Sequence, residues 1–458
     1  LTVNATGRFD AGVGGEGADV EVAFRLEDVD ALTRRVGRDL SWATGLEGHA
    51  HVVGRPDTGL AFHDVDVVAT PGTVRGAMTL TVHEDTLALA ADVETPRLDL
   101  TGPLRGRAIP SDTDRLIPEV TLPTVLPRGI ALRARVSAPE VVMPMGRIRD
   151  VAVRLSLGDS TFTVSDFTAA IEDGLLNGTF TLDVAAAVPQ LSLRLNGKAL
   201  PLDILLGDDG GRVLHGGHLG VALDLNGAGP TTRAFAASAD GRIRLDLRDA
   251  RIVHAGAAYA SGDLLVTLVE VLSASADGDD ASRLECAVAD FPLEGGRLES
   301  QTGIGFMTDT LSVRGGGYVD LGDETLSLFF DPKPREGIGL SAAGFADFVR
   351  LEGKLGDPRP VTDARGLASL GLRTGAAVAS GGLTLLAEAL FDRAAGENDA
   401  CESAMNATDG DKPAMVESRT IPPPPAAEVT TASGPERAGV VEETVRTIET
   451  GLDSLFGF

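Results

Sequence analysis

Residues 191–197 read LSLRLNG, residues 221–227 read VALDLNG and residues 242–248 read RIRLDLR. In each stretch Leu, Val or Ile occupies every second position, and most of the positions between them are polar. A period of two places alternate side chains on opposite faces of a β-strand, so each stretch predicts a strand with one apolar face. The Asn-Gly pairs that end the first two stretches are typical of tight hairpin turns. These stretches therefore predict a mainly β protein that is built of antiparallel hairpins.

An internal repeat supports this interpretation. Each copy predicts a strand, a turn at a glycine and a second strand. The matching segments are 64–66, 72–76 and 80 in the first copy, 166–168, 174–178 and 182 in the second, at an offset of 102, and 290–291 and 296–298 in a looser third copy. Stacked repeats of this kind build a long sheet, although a series of hairpins can also produce such matches by coincidence.

The composition excludes several classes of protein. The chain carries 67 acidic and 40 basic residues, a net charge of −27. A surface this acidic is repelled by phosphate backbones, so we expect no nucleic-acid partner. The longest uncharged run that we find, residues 374–387, is shorter than the roughly 20 apolar residues that cross a bilayer. The chain opens at Leu1 with a strand pattern and no basic, apolar leader, so we expect any membrane anchor to lie outside it.

Helical patterns are few and occur late in the chain. Residues 257–273 carry Leu and Val at helical spacing, and residues 363–393 form a second helical region. From residue 396 to residue 435 the sequence is acidic and then rich in proline, which predicts a disordered linker. Residues 436–458 predict an amphipathic helix with an acidic polar face. That face disfavours an anionic membrane, so we expect this helix to dock on its own domain or on a partner.

The C-terminal third carries several motifs in a fixed order. They are an alternating strand at 284–291, a turn at 296–298, the pattern G-x-x-D-L-x-x-E-x-L-x-L at 317–328, a Pro-x-Pro turn at 332–334 and the closing strand LEGKLGDP at 351–358. Their order and spacing resemble the C-terminal region of the AsmA family of bacterial envelope proteins. The resemblance covers most of residues 40–400, where the Leu-Pro pairs at 122–123 and 126–127 are similar to the openings of that family's central repeats.

The resemblance implies an elongated, twisted, open antiparallel β-sheet that curls into a hydrophobic groove, as in bridge-like lipid-transfer proteins. It implies that the protein lies in the periplasm of a Gram-negative bacterium, anchored to the inner membrane through an N-terminal helix that is absent from this sequence. The implied partner is a phospholipid or another envelope lipid, whose acyl chains the groove carries between the inner and outer membranes. A broader role in outer-membrane lipid homeostasis fits the same resemblance, and the C-terminal helix is expected to bind an envelope protein.

On this interpretation, the apolar positions of the alternating strands contact lipid. They are Ile130, Leu132, Val151, Val153, Leu155, Leu191, Leu193, Leu195, Val221, Leu223, Leu225, Ile243, Leu245 and Leu247. Some 25 strands of six residues would form a sheet roughly 120 Å long and about 20 Å wide. Only 19 of the 458 residues are aromatic, which suits an unfilled trough better than a packed core.

The chain is expected to divide into five regions. They are a first β-groove repeat region at 1–110, a second at 111–256, a β region with helices at 257–395, the disordered acidic and Pro-rich linker at 396–435 and the amphipathic helix at 436–458. The two cysteines, Cys286 and Cys401, would oxidise in an exported protein, so we favour a disulfide that ties the last helical region to the sheet. The alternative is two free thiols, one in the sheet and one in the tail.

No pattern in the sequence indicates catalysis, so we expect a protein that is not an enzyme and that needs no cofactor. His49-x-His51 and His215-x-x-His218 are incomplete as metal sites, because neither has a Cys or an acidic partner at ligand spacing. We therefore expect solvated histidines and no metal. One alternative to lipid carriage remains, a non-transporting scaffold or assembly factor that pairs its sheet edges with strands of outer-membrane proteins.

Overall fold

The computed structural model describes residues 2–10, 17–26, 45–55, 58–83, 86–102, 115–144, 146–205, 214–252, 282–309, 311–335, 349–362 and 399–410. The strands are β1 (Thr2–Asp10), β2 (Gly17–Leu26), β3 (Leu46–Arg55), β4 (Gly59–Ala69), β5 (Gly72–His83), β6 (Thr86–Glu94), β7 (Arg97–Asp99), β8 (Ile130–Met143), β9 (Gly146–Gly158), β10 (Thr161–Ile171), β11 (Gly174–Asp183), β12 (Gln190–Pro201), β13 (Leu214–His215), β14 (His218–Ala228), β15 (Asp240–Ile252), β16 (Ser282–Glu294), β17 (Arg297–Thr308), β18 (Leu311–Asp320), β19 (Thr325–Pro334), β20 (Val349–Lys354) and β21 (Asp357–Thr362). The helices are α1 (Thr232–Ser238) and α2 (Ala400–Gly410), with a single helical turn at residues 202–205.

All 21 strands belong to one sheet, and the predicted mainly β, open-sheet architecture is confirmed. Successive strands pair antiparallel from β1 to β6, from β8 to β12 and from β14 to β21, and β12 pairs with β14. Pro96 interrupts one strand and Gly216-Gly217 interrupts another. As a result β6 and β7 together occupy a single position in the order of the sheet, and so do β13 and β14. The sheet thus has nineteen positions. Within the described ranges β1 pairs only with β2 and β21 only with β20, which leaves both ends open.

One junction differs from the predicted antiparallel pairing. Strand β8 runs parallel to both β6 and β7. Parallel neighbours need a long crossover connection, and residues 115–129 are the described part of the one before β8. The sequence could not reveal this junction, because alternation assigns the faces of a strand and not its direction.

The strands are longer than expected, and their turns lie elsewhere. Most strands span 9–14 residues, against the six that we predicted. The predicted turns at Asn196-Gly197 and Asn226-Gly227 are wrong, because both pairs lie inside strands, β12 and β14. Neighbouring strands pair with Asn196, Gly197 and Asn226 on both sides and with Gly227 on one side, which holds them in the extended conformation. The chain instead leaves β12 at the helical turn of residues 202–205 and leaves β14 through α1.

The repeat at an offset of 102 residues has the same local structure in both copies. The β4–β5 and β10–β11 hairpins each contain a bulge at the equivalent position. Asp64 lies in the first bulge with a φ of 50°, and Asp166 lies in the second with a φ of 51°. This left-handed conformation is one that Asp adopts more readily than most residues. In the third copy, β16 and β17 are joined by a turn at Gly295-Gly296.

Helix α2 lies inside the segment predicted to be a disordered linker, so that prediction is wrong for residues 400–410. The composition of the segment did not show that Ala400, Cys401 and Ala404 are buried against β16 and β17. Helix α1 was not predicted either, and it begins after Thr231, whose hydroxyl accepts a hydrogen bond from the Ala234 amide at 3.2 Å. The helices predicted at 257–273, 363–393 and 436–458 lie outside the described residues.

Candidate functional site: the apolar face of the sheet

One face of the sheet carries apolar side chains from strand to strand. Residues that are paired across neighbouring strands share a face. One row of such partners runs from Leu132 through Leu157, Phe162 and Leu182 to Leu191. The strand register connects all fourteen predicted residues to this face, so the structure brings them together. We call this surface the apolar face, and its central part is formed by Ile130, Leu132, Val151, Val153, Leu155, Leu191, Leu193, Leu195, Val221, Leu223, Leu225, Ile243, Leu245 and Leu247.

The central part of the apolar face is only partly packed. Leu157, Phe162 and Leu182 on the same face are buried in a small cluster with Leu126, and Ile130, Leu132 and Leu155 pack against it. Thirteen of its fourteen side chains keep part of their surface in solvent, and Leu245 is 37% exposed. Only Leu247 is buried, at 8%. A close-packed interior would bury all of them. A contiguous apolar surface that keeps part of its area accessible is a candidate binding surface.

Towards the C-terminus the same face becomes a packed core, which differs from the uniformly empty trough that we expected. The buried cluster includes Phe291, Phe306, Val313, Leu328 and Leu351. Aromatic rings fill the space between the strands here, whereas the central part is lined mainly by aliphatic residues. The most accessible part of the apolar face therefore lies between the two buried clusters, on β12, β14 and β15.

The opposite face of the sheet is polar and carries ion pairs between neighbouring strands. Arg194 on β12 lies 3.3 Å from Asp224 on β14, and Arg75 on β5 lies 3.0 Å from Asp66 on β4. Exposed pairs of this kind contribute about 0–1 kcal/mol each. Their main consequence is that this face stays hydrated while the other face remains apolar.

Asp290 on β16 is an exception on the polar face, because its side chain is fully buried. Arg242 donates hydrogen bonds to it at 2.6 and 2.9 Å, and Arg244 donates another at 2.8 Å. Burial acts to raise the pKa of Asp290, but the hydrogen bonds from the two arginines outweigh burial and lower that pKa. This cluster joins β15 to β16 where the apolar face passes into the packed core.

A depression of about 720 Å³ lies on the polar face beside this cluster. Its walls include Asp166, Arg194, Asp224, Arg242 and Arg244. Each of these side chains already has an oppositely charged partner. Arg242 and Arg244 share the single carboxylate of Asp290, whereas Asp166 and Asp224 each pair with one arginine.

The segment 115–129 runs along the strand ends at one rim of the sheet. Its start is held by Glu324, whose Oε2 accepts hydrogen bonds from the amides of Leu116 at 2.6 Å and Ile117 at 3.4 Å. Arg233 of α1 donates to the carbonyl of Ile117 at 2.8 Å. Near its end, Leu126 is buried among residues of the apolar face. The segment 115–129 thus connects the parallel strands and also braces the rim of the sheet.

A second depression, of about 620 Å³, lies at the same rim near the ends of β8, β9 and β10. Ile130, Leu132 and Leu157 of the apolar face line it together with Arg128 and Arg133. Within the part of the chain that the structure describes, no carboxylate pairs with either arginine. Asp159 also lines this rim pocket, and Arg133 belongs to the polar face, because its partner on β9 is Ser156 whereas that of Leu132 is Leu157.

Cys286 on β16 and Cys401 on α2 form a disulfide, as predicted, with their Cα atoms 6.5 Å apart. It fastens α2 to the polar face of the sheet, and Gly305 on β17 lets the helix approach, since a Cβ there would lie 2.3 Å from the Ala400 carbonyl oxygen. Asp399 lies beside the two sulfur atoms, but both thiols are used in the disulfide.

Comparison with known proteins identifies no relative of this chain. No family model matches it, and neither a curated protein nor a solved structure matches it. Of the described helices, none has the length and apolar character needed to span a membrane.

Proposed function

We propose that this protein carries the acyl chains of phospholipids, or of another envelope lipid, along the apolar face. The observation that supports the proposal most directly is that thirteen of the fourteen aliphatic residues predicted to line that face remain at least partly accessible to solvent. A face of this kind gains free energy by covering its surface with another apolar molecule. The proposal includes no chemical step.

The dimensions of the sheet suit a lipid. Nineteen strand positions at about 4.8 Å each extend over about 85 Å, and a strand of 12 residues spans about 40 Å. The described sheet is thus shorter and broader than our sequence-based expectation. One leaflet of a bilayer has a hydrocarbon thickness of about 15 Å, half of the usual 30 Å core, so both tails of a lipid fit across the strands.

The aliphatic lining favours movement along the face. Burial of an acyl chain contributes about 0.8 kcal/mol per CH₂ and does not depend on direction. Because Leu, Val and Ile repeat on each strand from β12 to β15, a step along the face exchanges one set of contacts for an equivalent set. No single position holds the tail in a deep energy minimum.

The rim pocket offers a place for the head group. Arg128, which precedes β8 at this rim, can attract an anionic phosphate while Ile130 and Leu132 contact the start of the tails. The rim is also where a head group reaches solvent, because strand ends border the apolar face there. This arrangement supports an amphiphilic ligand over a purely apolar one.

An envelope location is part of the proposal. The Cys286–Cys401 disulfide supports an oxidising compartment, and the AsmA-like motifs suggest the periplasm of a Gram-negative bacterium. The inner-membrane anchor and the envelope partner of residues 436–458 belong to the same proposal.

Site-specific photo-crosslinking tests the proposal. A photoreactive amino acid in place of Leu223 should form adducts with phospholipid that copurifies with the full chain, as detected by mass spectrometry. The matched control replaces Thr179, which lies exposed on the polar face opposite Arg194, and should form none. A folded protein that yields no lipid adduct at position 223, or equal adducts at both positions, would contradict lipid carriage on this face.

A second candidate function, the scaffold for outer-membrane proteins, is favoured by the edges of the sheet. Strand β1 contains no proline, and its residues 2–8 are exposed. Strand β21 carries Pro358 and Pro360, which cannot donate hydrogen bonds to another strand. Edge β1 could therefore accept a client strand. Crosslinks from β1 to nascent outer-membrane proteins, with no lipid on the apolar face, would favour the scaffold.

A further inference from the structure

Two histidines that are twelve residues apart in the sequence meet on the polar face of the first repeat. His51 on β3 and His63 on β4 are direct cross-strand partners. Their ring centroids lie 6.3 Å apart, and the ring planes are inclined by 49°. The sequence alone gave no reason to pair them, because only the register of β3 and β4 brings them together.

Carboxylates surround the histidine pair. The Nε2 atom of His51 lies 2.8 Å from Oδ1 of Asp19 on β2. Glu21 is the β2 partner of His51, and Asp64 directly follows His63 in the bulge of β4. The acidic partners that seemed to be missing at ligand spacing in the sequence are thus supplied by a neighbouring strand and by the bulge.

The second repeat shows what the same position looks like without histidine. There the residue before the bulge is Ser165, and its partner on β9 is Arg154. Arg154 forms an ion pair with Asp166 of the bulge. The first repeat has imidazoles in place of both Ser165 and Arg154, while it retains the bulge and its aspartate. Bulges commonly direct side chains at functional sites.

We propose that His51 and His63 bind one divalent transition-metal ion, of the class that prefers imidazole, such as Zn²⁺. A tetrahedral metal bonded to two imidazole nitrogens at about 2.0–2.1 Å holds the ring centroids about 5 Å apart, so the observed separation of 6.3 Å must close by about 1 Å on binding. His63 is exposed, so a rotation of its ring can complete the arrangement. Among the described residues these side chains do not yet bring three ligand atoms within 4.8 Å of one another, so Glu21 or Asp64 supplies a carboxylate ligand by changing its rotamer, and water fills the remaining positions.

Asp19 acts as a positioning residue in this site. It accepts a hydrogen bond from Nε2–H of His51, which leaves Nδ1 as the metal-binding nitrogen. A carboxylate in this role orients the imidazole and makes it a stronger ligand. The site is independent of the proposed lipid function, because it lies on the opposite face of the sheet from the apolar residues.

Isothermal titration of the full chain with ZnCl₂ tests the proposal. The protein is freed of any affinity tag, stripped with EDTA and kept without reductant so that Cys286 and Cys401 stay in their disulfide. We expect one Zn²⁺ per chain, with the affinity lowered by more than about tenfold in both His51→Gln and His63→Gln. Asp19→Asn should lower it by about tenfold, because only the orienting carboxylate is lost.

His83→Gln is the matched control, since His83 also lies exposed on a first-repeat strand, β5, and should leave the affinity unchanged. Circular dichroism of each variant confirms the fold. The proposal is overturned if the wild-type chain binds no Zn²⁺, or if either His51→Gln or His63→Gln binds it as the wild type does. An equal loss in His83→Gln would also overturn it, because binding would then reflect the acidic surface in general.

Discussion

Leu223→Asp and Leu351→Asp form a matched pair that distinguishes an open apolar face from a packed core. Leu223 on β14 is partly exposed, whereas Leu351 on β20 is 1% exposed within the C-terminal core. Full burial of a leucine side chain contributes about 1.5–3 kcal/mol, so a partly exposed one contributes about 1 kcal/mol. At Leu351 the substitution also leaves a cavity and an unpaired buried carboxylate, which raises the expected loss to about 4 kcal/mol or more.

Urea unfolding followed by circular dichroism measures the difference. With a slope of about 3 kcal/mol per molar urea, we expect the midpoint to fall by about 0.3 M in Leu223→Asp and by about 1.3 M or more in Leu351→Asp. The Leu223→Asp protein should also purify without phospholipid, because a carboxylate interrupts the apolar path. Equal shifts in the two variants would refute the open face. A stable Leu223→Asp protein with a normal lipid content would refute this face as the lipid path.

Two further predictions concern the attachment of α2 and the buried carboxylate. Replacing both Cys286 and Cys401 by Ala should lower the free energy of unfolding by up to about 5 kcal/mol, since the disulfide closes a separation of 115 residues. Limited proteolysis of this variant should then cut at residues 400–410. Continued protection of these residues would contradict the prediction. Asp290 has a lowered pKa in the fold, so its stabilising contribution is complete above the usual Asp pKa of about 3.9 and is lost as the pH falls through the folded value. In urea titrations, Asp290→Asn should therefore lower the free energy of unfolding by about 2–3 kcal/mol at pH 7, where Arg242 and Arg244 lose their partner, and by much less at pH 2. A loss of stability that does not change with pH would contradict this prediction.

Several features of the fold could be predicted because they depend on local pattern. Alternation placed Leu193, Leu223 and Ile243 on one face, and the register confirms that they share it. The two cysteines were predicted to pair, and they do. The turns were harder to place, because Asn226-Gly227 is equally able to lie in an extended strand when a partner strand satisfies its backbone.

Other features could not be predicted, because they depend on long-range contacts. The parallel junction between β6 and β8 leaves no trace in the alternation of either strand. Helix α2 lies in a segment with a disordered composition and is buried by β16 and β17. The brace at the rim rests on a bond between Glu324 and Leu116, 208 residues apart.

The amino-acid sequence by itself determined which side chains share a face, because a period of two is a property of neighbouring residues along one strand. Tertiary structure alone decided which strands lie side by side, and so which residues meet across them. The meeting of His51 with His63, the burial of Asp290 between two arginines and the accessibility of the central apolar face all follow from that arrangement. The physical reason is that burial and pairing free energies arise between segments that are distant in the chain, where no local pattern records them.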